Sequence, residues 1–208
     1  MLRTLSDVAL ATVICTYIFT FLAIVSLAIQ TFETINRWRK FELEDLLTWI
    51  AFIISLALIG QITWAVVDES QGQHMSNVTR SQLELIAKSL LVSEALWALV
   101  NTFIRVTASV FIHRIFVVET LPLTGVSIVH GIAALLTAVL ICRPIQASWD
   151  DQDQGTCGNQ TAAFISLEVI GLIIDIAILA LPIWFIFSLH MQLKKKVSTI
   201  FIMSAGAL

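Results

Sequence analysis

Four ionisable side chains lie inside runs that are otherwise apolar, Glu94, Arg105, Glu168 and Asp175, and Asn101 adds an amide beside them. A charge held in hydrocarbon costs about 2.5–3.5 kcal/mol on translocon scales, so such residues turn towards a bundle interior, a wet cavity or each other. Glu94, Asn101 and Arg105 are seven and four residues apart, which puts them on one helical face that Ser109 continues. Glu168 and Asp175, seven apart, also share a face. Arg105 and Asp175 both fall near mid-run, so pairing them would neutralise the two deepest charges. Such a pair either fixes the rotation of two helices or contacts a ligand or ion, and both readings stand. Glu94 and Glu168 sit nearer a water-facing end, where an interfacial role suffices.

Enzyme chemistry finds no support. His74, His113, His130 and His190 are dispersed, with no H-E-x-x-H spacing for a metal. No G-x-S-x-G, Walker loop or G-x-G-x-x-G occurs. The expectation is a protein that is not an enzyme and carries no catalytic residue, metal or cofactor. No basic stripe suggests nucleic acid.

The polar stretch CRPIQASWDDQDQGTC is flanked by Cys142 and Cys157, whereas Cys15 lies in an apolar run. Two cysteines around a loop fit an oxidising compartment. The pair reads as a disulfide if its Cα atoms approach within about 4.4–6.8 Å, the alternative being two free thiols. Asn77-Val78-Thr79 and Asn159-Gln160-Thr161 are glycosylation sequons. The second adjoins an apolar run so closely that its use is not expected.

The elements that position these residues follow from composition. The chain has 208 residues, 58% hydrophobic and 13% charged, with a mean hydropathy of +0.90; soluble domains average about 25% charged. Several apolar runs reach membrane-crossing length, while three prolines and no alternating strands argue against a barrel. The fold class is therefore all-α, a polytopic bundle in one domain. Spans are expected over residues 8–29, 46–67, 90–112, 126–141 and 162–189, with a partial sixth over 197–208. Leu83 to Ser89 reads as an amphipathic lead-in to the third. Pro122 and Gly125 read as breakers before the fourth, and Pro182 as a candidate kink in the fifth. Trp49 and Trp64 sit near the two ends of the second span, as an aromatic belt would place them. A cleaved signal peptide has a shorter apolar core than the first run, so that run reads as a retained helix.

Lysine and arginine bias sets the orientation. Seven fall in segments of one side, including Arg37, Arg39, Lys40, Arg114 and Lys194–Lys196, against four on the other: Arg3, Arg80, Lys88 and Arg143. This places the N-terminus and the cysteine loop outside. The expected location is multi-pass, in the plasma membrane.

Three motifs carry a resemblance: FIRVTASVFIHRIF from Phe103, the loop CRPIQASW…GTCGN, and DIAILALPIWFIFSLHMQLKKK from Asp175. With the acidic Glu44-Asp45 pair at the start of the second span, they resemble the fungal rhodopsin-domain integral membrane proteins, a seven-helix family that includes presumed surface receptors. The resemblance covers nearly the whole chain, and the cysteine loop followed by D-x6-P is its most specific part. The family usually has Lys where Arg105 stands, Ser at Thr107 and Tyr at Ile112. Arg105 keeps the charge but excludes a Schiff base there. The resemblance implies sixth and seventh helices beyond the residues present, so the chain is expected to be cut within the sixth. It also implies a receptor-like role with an extracellular ligand and a cytoplasmic signalling partner, besides the bilayer. A transporter or a non-signalling scaffold is the alternative.

Overall fold

The computed structural model describes residues 7–36, 42–67, 80–116, 119–149 and 155–188. Five long helices account for nearly all of them: α1 (Asp7–Asn36), α2 (Leu43–Val67), α3 (Arg80–Phe116), α4 (Leu121–Leu140) and α5 (Gln160–Ser188). All five are long and apolar enough to cross a membrane. The expected partial sixth span, Lys194–Lys196, Arg37–Lys40 and the Asn77 sequon lie outside the described residues.

One expected boundary needs correction, at the fourth helix. The third helix begins at Arg80, three residues before the lead-in expected from Leu83, and the lead-in is continuous with the span. Its 37 residues extend about 55 Å at 1.5 Å per residue, well beyond a hydrocarbon core of about 30 Å. The fourth helix begins at Leu121, not 126, so Pro122 and Gly125 lie inside it rather than in a link. Pro122 occupies the first turn, where its missing N–H loses no helical bond and its fixed φ suits the helix. Pro182 lies inside α5, which continues to Ser188.

Burial is inverted relative to a soluble protein. Phe21, Trp184 and Leu121 are 65%, 75% and 79% exposed, whereas Ser109 and Ser127 are fully buried. Large apolar residues face outward, as lipid solvates them, and small residues lie between helices, where they let backbones approach. α3 packs along α2 and α4 and also meets α5, while α1 packs mainly on α2. At Gly131 of α4 a Cβ would overlap the Thr102 side chain of α3, so this contact depends on glycine. Ile112, Ile174 and Ile178 form an apolar core between α3 and α5, joined by Ala108, Leu123 and Leu181. The turn from α3 to α4 is tied back by Thr120, whose hydroxyl donates to the Ser109 carbonyl at 3.0 Å.

Between α4 and α5 the cysteine loop folds into a two-residue antiparallel ladder. β1 (Cys142–Arg143) pairs with β2 (Thr156–Cys157), Cys142 opposite Cys157. Those two form a disulfide with a Cα–Cα distance of 4.1 Å. A 3₁₀ turn, Ile145–Ser148, follows a cis Arg143–Pro144 bond.

Candidate functional site

The site lies between α3, α4 and α5, in the half of the bundle nearer the cysteine loop. Helical spacing aims Glu94, Trp97, Asn101 and Arg105 from one face of α3. α5 contributes Phe164, Glu168, Gly171 and Asp175, and α4 contributes His130. The floor is ionic. Arg105 donates from Nε to Asp175 Oδ1 at 2.7 Å and from Nη2 to Oδ2 at 2.9 Å. This two-pronged contact suits the planar guanidinium in a way an ammonium could not match. The Arg105 side chain is 8% exposed and that of Asp175 44%, so the cation is the buried partner.

His130 completes the floor. Its Nδ1 lies 3.2 Å from Arg105 Nη1, and its Nε2 lies 3.0 Å from the Leu167 carbonyl. A guanidinium only donates and a carbonyl only accepts, so both contacts are hydrogen bonds in the tautomer that carries its proton on Nε2 and accepts at Nδ1. Gly171 makes the room: a Cβ there would sit 2.8 Å from Arg105 Nη2 and 3.5 Å from the His130 ring.

Above the floor is a cavity of about 40 Å³ lined by Glu94, Trp97, Asn101, Phe164 and Glu168, among others. Trp97 Nε1 donates to Glu168 Oε1 at 3.2 Å, and the Asn101 amide donates to the Trp97 carbonyl at 2.9 Å. Glu94 and Glu168 come close enough to repel one another. All five polar residues singled out from spacing therefore converge on one locus. His130 and Trp97 were not among them. Trp97 could have been found, because it lies three residues after Glu94 and four before Asn101. His130 carried no signal, since its partners belong to other helices.

The rim at the loop end is held by further contacts. Lys88 stands 5.4 Å from the centroid of the Trp149 ring while pairing with Glu84. Such a cation–π contact links the projecting part of α3 to the cysteine loop. Asn159 Oδ1 accepts from the Ala162 N–H at 3.0 Å, which makes the sequon asparagine the N-cap of α5.

At the opposite end, Arg114 of α3 is clamped by Glu42 and by Glu44, the latter at 2.6 Å. Asp45 beside them accepts from Gln30 of α1 and from the Glu42 N–H. Glu44 and Asp45 are 6% and 4% exposed. The acidic start of α2 thus meets the basic end of α3.

Comparison with known proteins agrees with this architecture. The model of the fungal rhodopsin domain matches residues 29–208. A "SAT4 family membrane protein" of Emericella nidulans is 24% identical over 153 residues, 70% of this chain. "Satratoxin biosynthesis SC1 cluster protein 4" of Stachybotrys chartarum is 29% identical over 108 residues, 49% of this chain. Each match spans 40% of the relative's own length. No solved structure matches. With the domain matching most of this chain, and five membrane-length helices behind the match, the chain belongs to the fungal rhodopsin domain family.

Proposed function

We propose that the chain is the ligand-binding part of a receptor-like, non-enzymatic membrane protein, with the disulfide-bonded loop outside. The observation that carries this reading is the cavity between α3, α4 and α5, closed below by Arg105, Asp175 and His130. A floor of bonded charges blocks passage, so occupancy of the cavity acts through helix position rather than through transit. α3 is the element that reports it. One end lines the cavity, and the other is held to α2 by Arg114 with Glu42 and Glu44. On this reading the N-terminus is outside, the Arg114 end faces a cytoplasmic partner, and the protein resides in the plasma membrane.

A second reading, transport, draws on the same polar cavity. The name of the Stachybotrys relative ties that protein to a biosynthetic cluster, a setting in which a small molecule needs moving. One experiment separates the two without knowing the ligand. Ala98 lines the cavity; an Ala98→Cys variant is filled covalently with a small methanethiosulfonate reagent. Genetically encoded spin labels at positions 43 and 113 then report the separation of α2 and α3. The receptor reading expects that distance to change on filling. An unchanged distance overturns it. Ion or amine flux through reconstituted vesicles, blocked by the same modification, would establish transport in its place.

A further inference from the structure

We propose that the cavity takes a small primary amine in its ammonium form, held between Glu94 and Glu168; this rests on reading the cavity as a ligand site. Each side-chain nitrogen donor lining the cavity makes a hydrogen bond, with two N–H of Arg105 and one of Asn101 left over. The Trp97 indole donates to Glu168, and the Asn101 amide to the Trp97 carbonyl. All three Arg105 nitrogens bond to Asp175 or His130, and His130 spends its ring N–H on Leu167. The acceptors are far less spent. Among the described residues, the Glu94 carboxylate, Glu168 Oε2 and Asn101 Oδ1 receive no hydrogen bond. The unspent capacity of the cavity is therefore weighted towards acceptors.

Charge points the same way. Asp175 neutralises Arg105. Lys88, six residues before Glu94, is committed to Glu84. Among the described residues no cation pairs with Glu94, which is half-buried, or with Glu168, which is exposed. The complement of such a site is a ligand with a positive charge, several donors and no acceptor, which describes an ammonium group. An anion would add a third like charge. A hard metal ion wants about six to eight oxygen ligands, more than three acceptor groups supply. Trp97 and Phe164 on the walls favour an organic cation, whose carbon and charge both gain from aromatic faces. A volume of about 40 Å³ exceeds the roughly 10–15 Å³ one water needs, so an ammonium head and its first carbons fit.

The test uses the chain in lipid nanodiscs with benzylammonium as probe, observed by saturation-transfer NMR. Saturable transfer is expected, competed by methylammonium and absent for benzyl alcohol and benzoate. Glu94→Gln and Glu168→Gln should each weaken binding about tenfold or more, the loss of one charge-assisted hydrogen bond. Glu94→Asp, which keeps the charge, should retain saturable binding and shows that the site still folds when altered. The proposal is overturned if benzyl alcohol binds as well as benzylammonium, if both glutamine variants bind as the parent does, or if no transfer is seen. Failure here is distinct from failure of the receptor reading. Absent amine binding, with helix movement on filling the Ala98→Cys variant, removes only the ammonium assignment. Amine binding without movement removes only the receptor role.

Discussion

Arg105 donates from two nitrogens to Asp175 and from the third to His130, so altering Arg105 strands both of its partners. Removing one charge leaves its partner uncompensated, which costs more than removing both. Arg105→Met and Asp175→Leu are each expected to lose about 2–3 kcal/mol of stability, below the range for a fully buried pair because Asp175 is partly solvated. The double variant should lose less than the sum. Thermal unfolding in detergent across the cycle measures this, and strict additivity would show that the two side chains are not coupled. His130→Leu has a separate signature. It leaves one guanidinium nitrogen unmet, at about 1–3 kcal/mol, while the Leu167 carbonyl keeps its bond within α5 and Arg105 stays paired with Asp175. His130→Asn, which offers a donor and an acceptor, should recover part of that loss. The departures from the family pattern are absorbed locally. Thr107 bonds back to the Phe103 carbonyl, and Ile112 lies in the apolar core.

At the scale of elements, α3 is the axis of the bundle, because it packs on α2, α4 and α5. Its contact with α4 passes through Gly131 and Thr102. Gly131→Ala is expected to force the helices apart and cost about 1–3 kcal/mol, as overpacking does. Thr102→Ala in the same chain should restore part of it, since the overlapping hydroxyl is gone; no recovery in the double variant would refute the contact. The cysteine loop is the second element with a measurable weight. Cys142 and Cys157 are fifteen positions apart, for which loop closure predicts about 3 kcal/mol of stabilisation. Reduction, or replacement of both by Ser, should lower the melting temperature and release Trp149 from Lys88. An unchanged melting temperature would mean that the ladder alone holds the loop.

At the scale of the whole molecule, the prediction concerns sidedness. The cysteine loop and the Arg114 clamp sit at opposite ends of the bundle. In a Cys15→Ser background, a Ser148→Cys variant should label from outside intact cells, and a Glu119→Cys variant only after permeabilisation. The reverse pattern would invert the proposed orientation, and with it the side from which a ligand enters.

The sequence by itself determined the all-α class, the five spans and the acidic and basic positions on α3 and α5, because hydropathy and helical spacing are local properties. The start of α4 was misjudged, because proline in a first turn opens a helix rather than breaking one. The pairing of Arg105 with Asp175 was also legible, since two deep charges of opposite sign had few other partners. What only the tertiary structure decided is which faces of different helices meet. His130 reaches Arg105 only through the rotation of α4 against α3 at Gly131. Arg114 finds Glu42 and Glu44 seventy or more positions away, and Lys88 finds Trp149 across the loop. Spacing along one helix fixes relative angles within that helix. The angle between neighbouring helices comes from close packing of small residues, and no single segment encodes it.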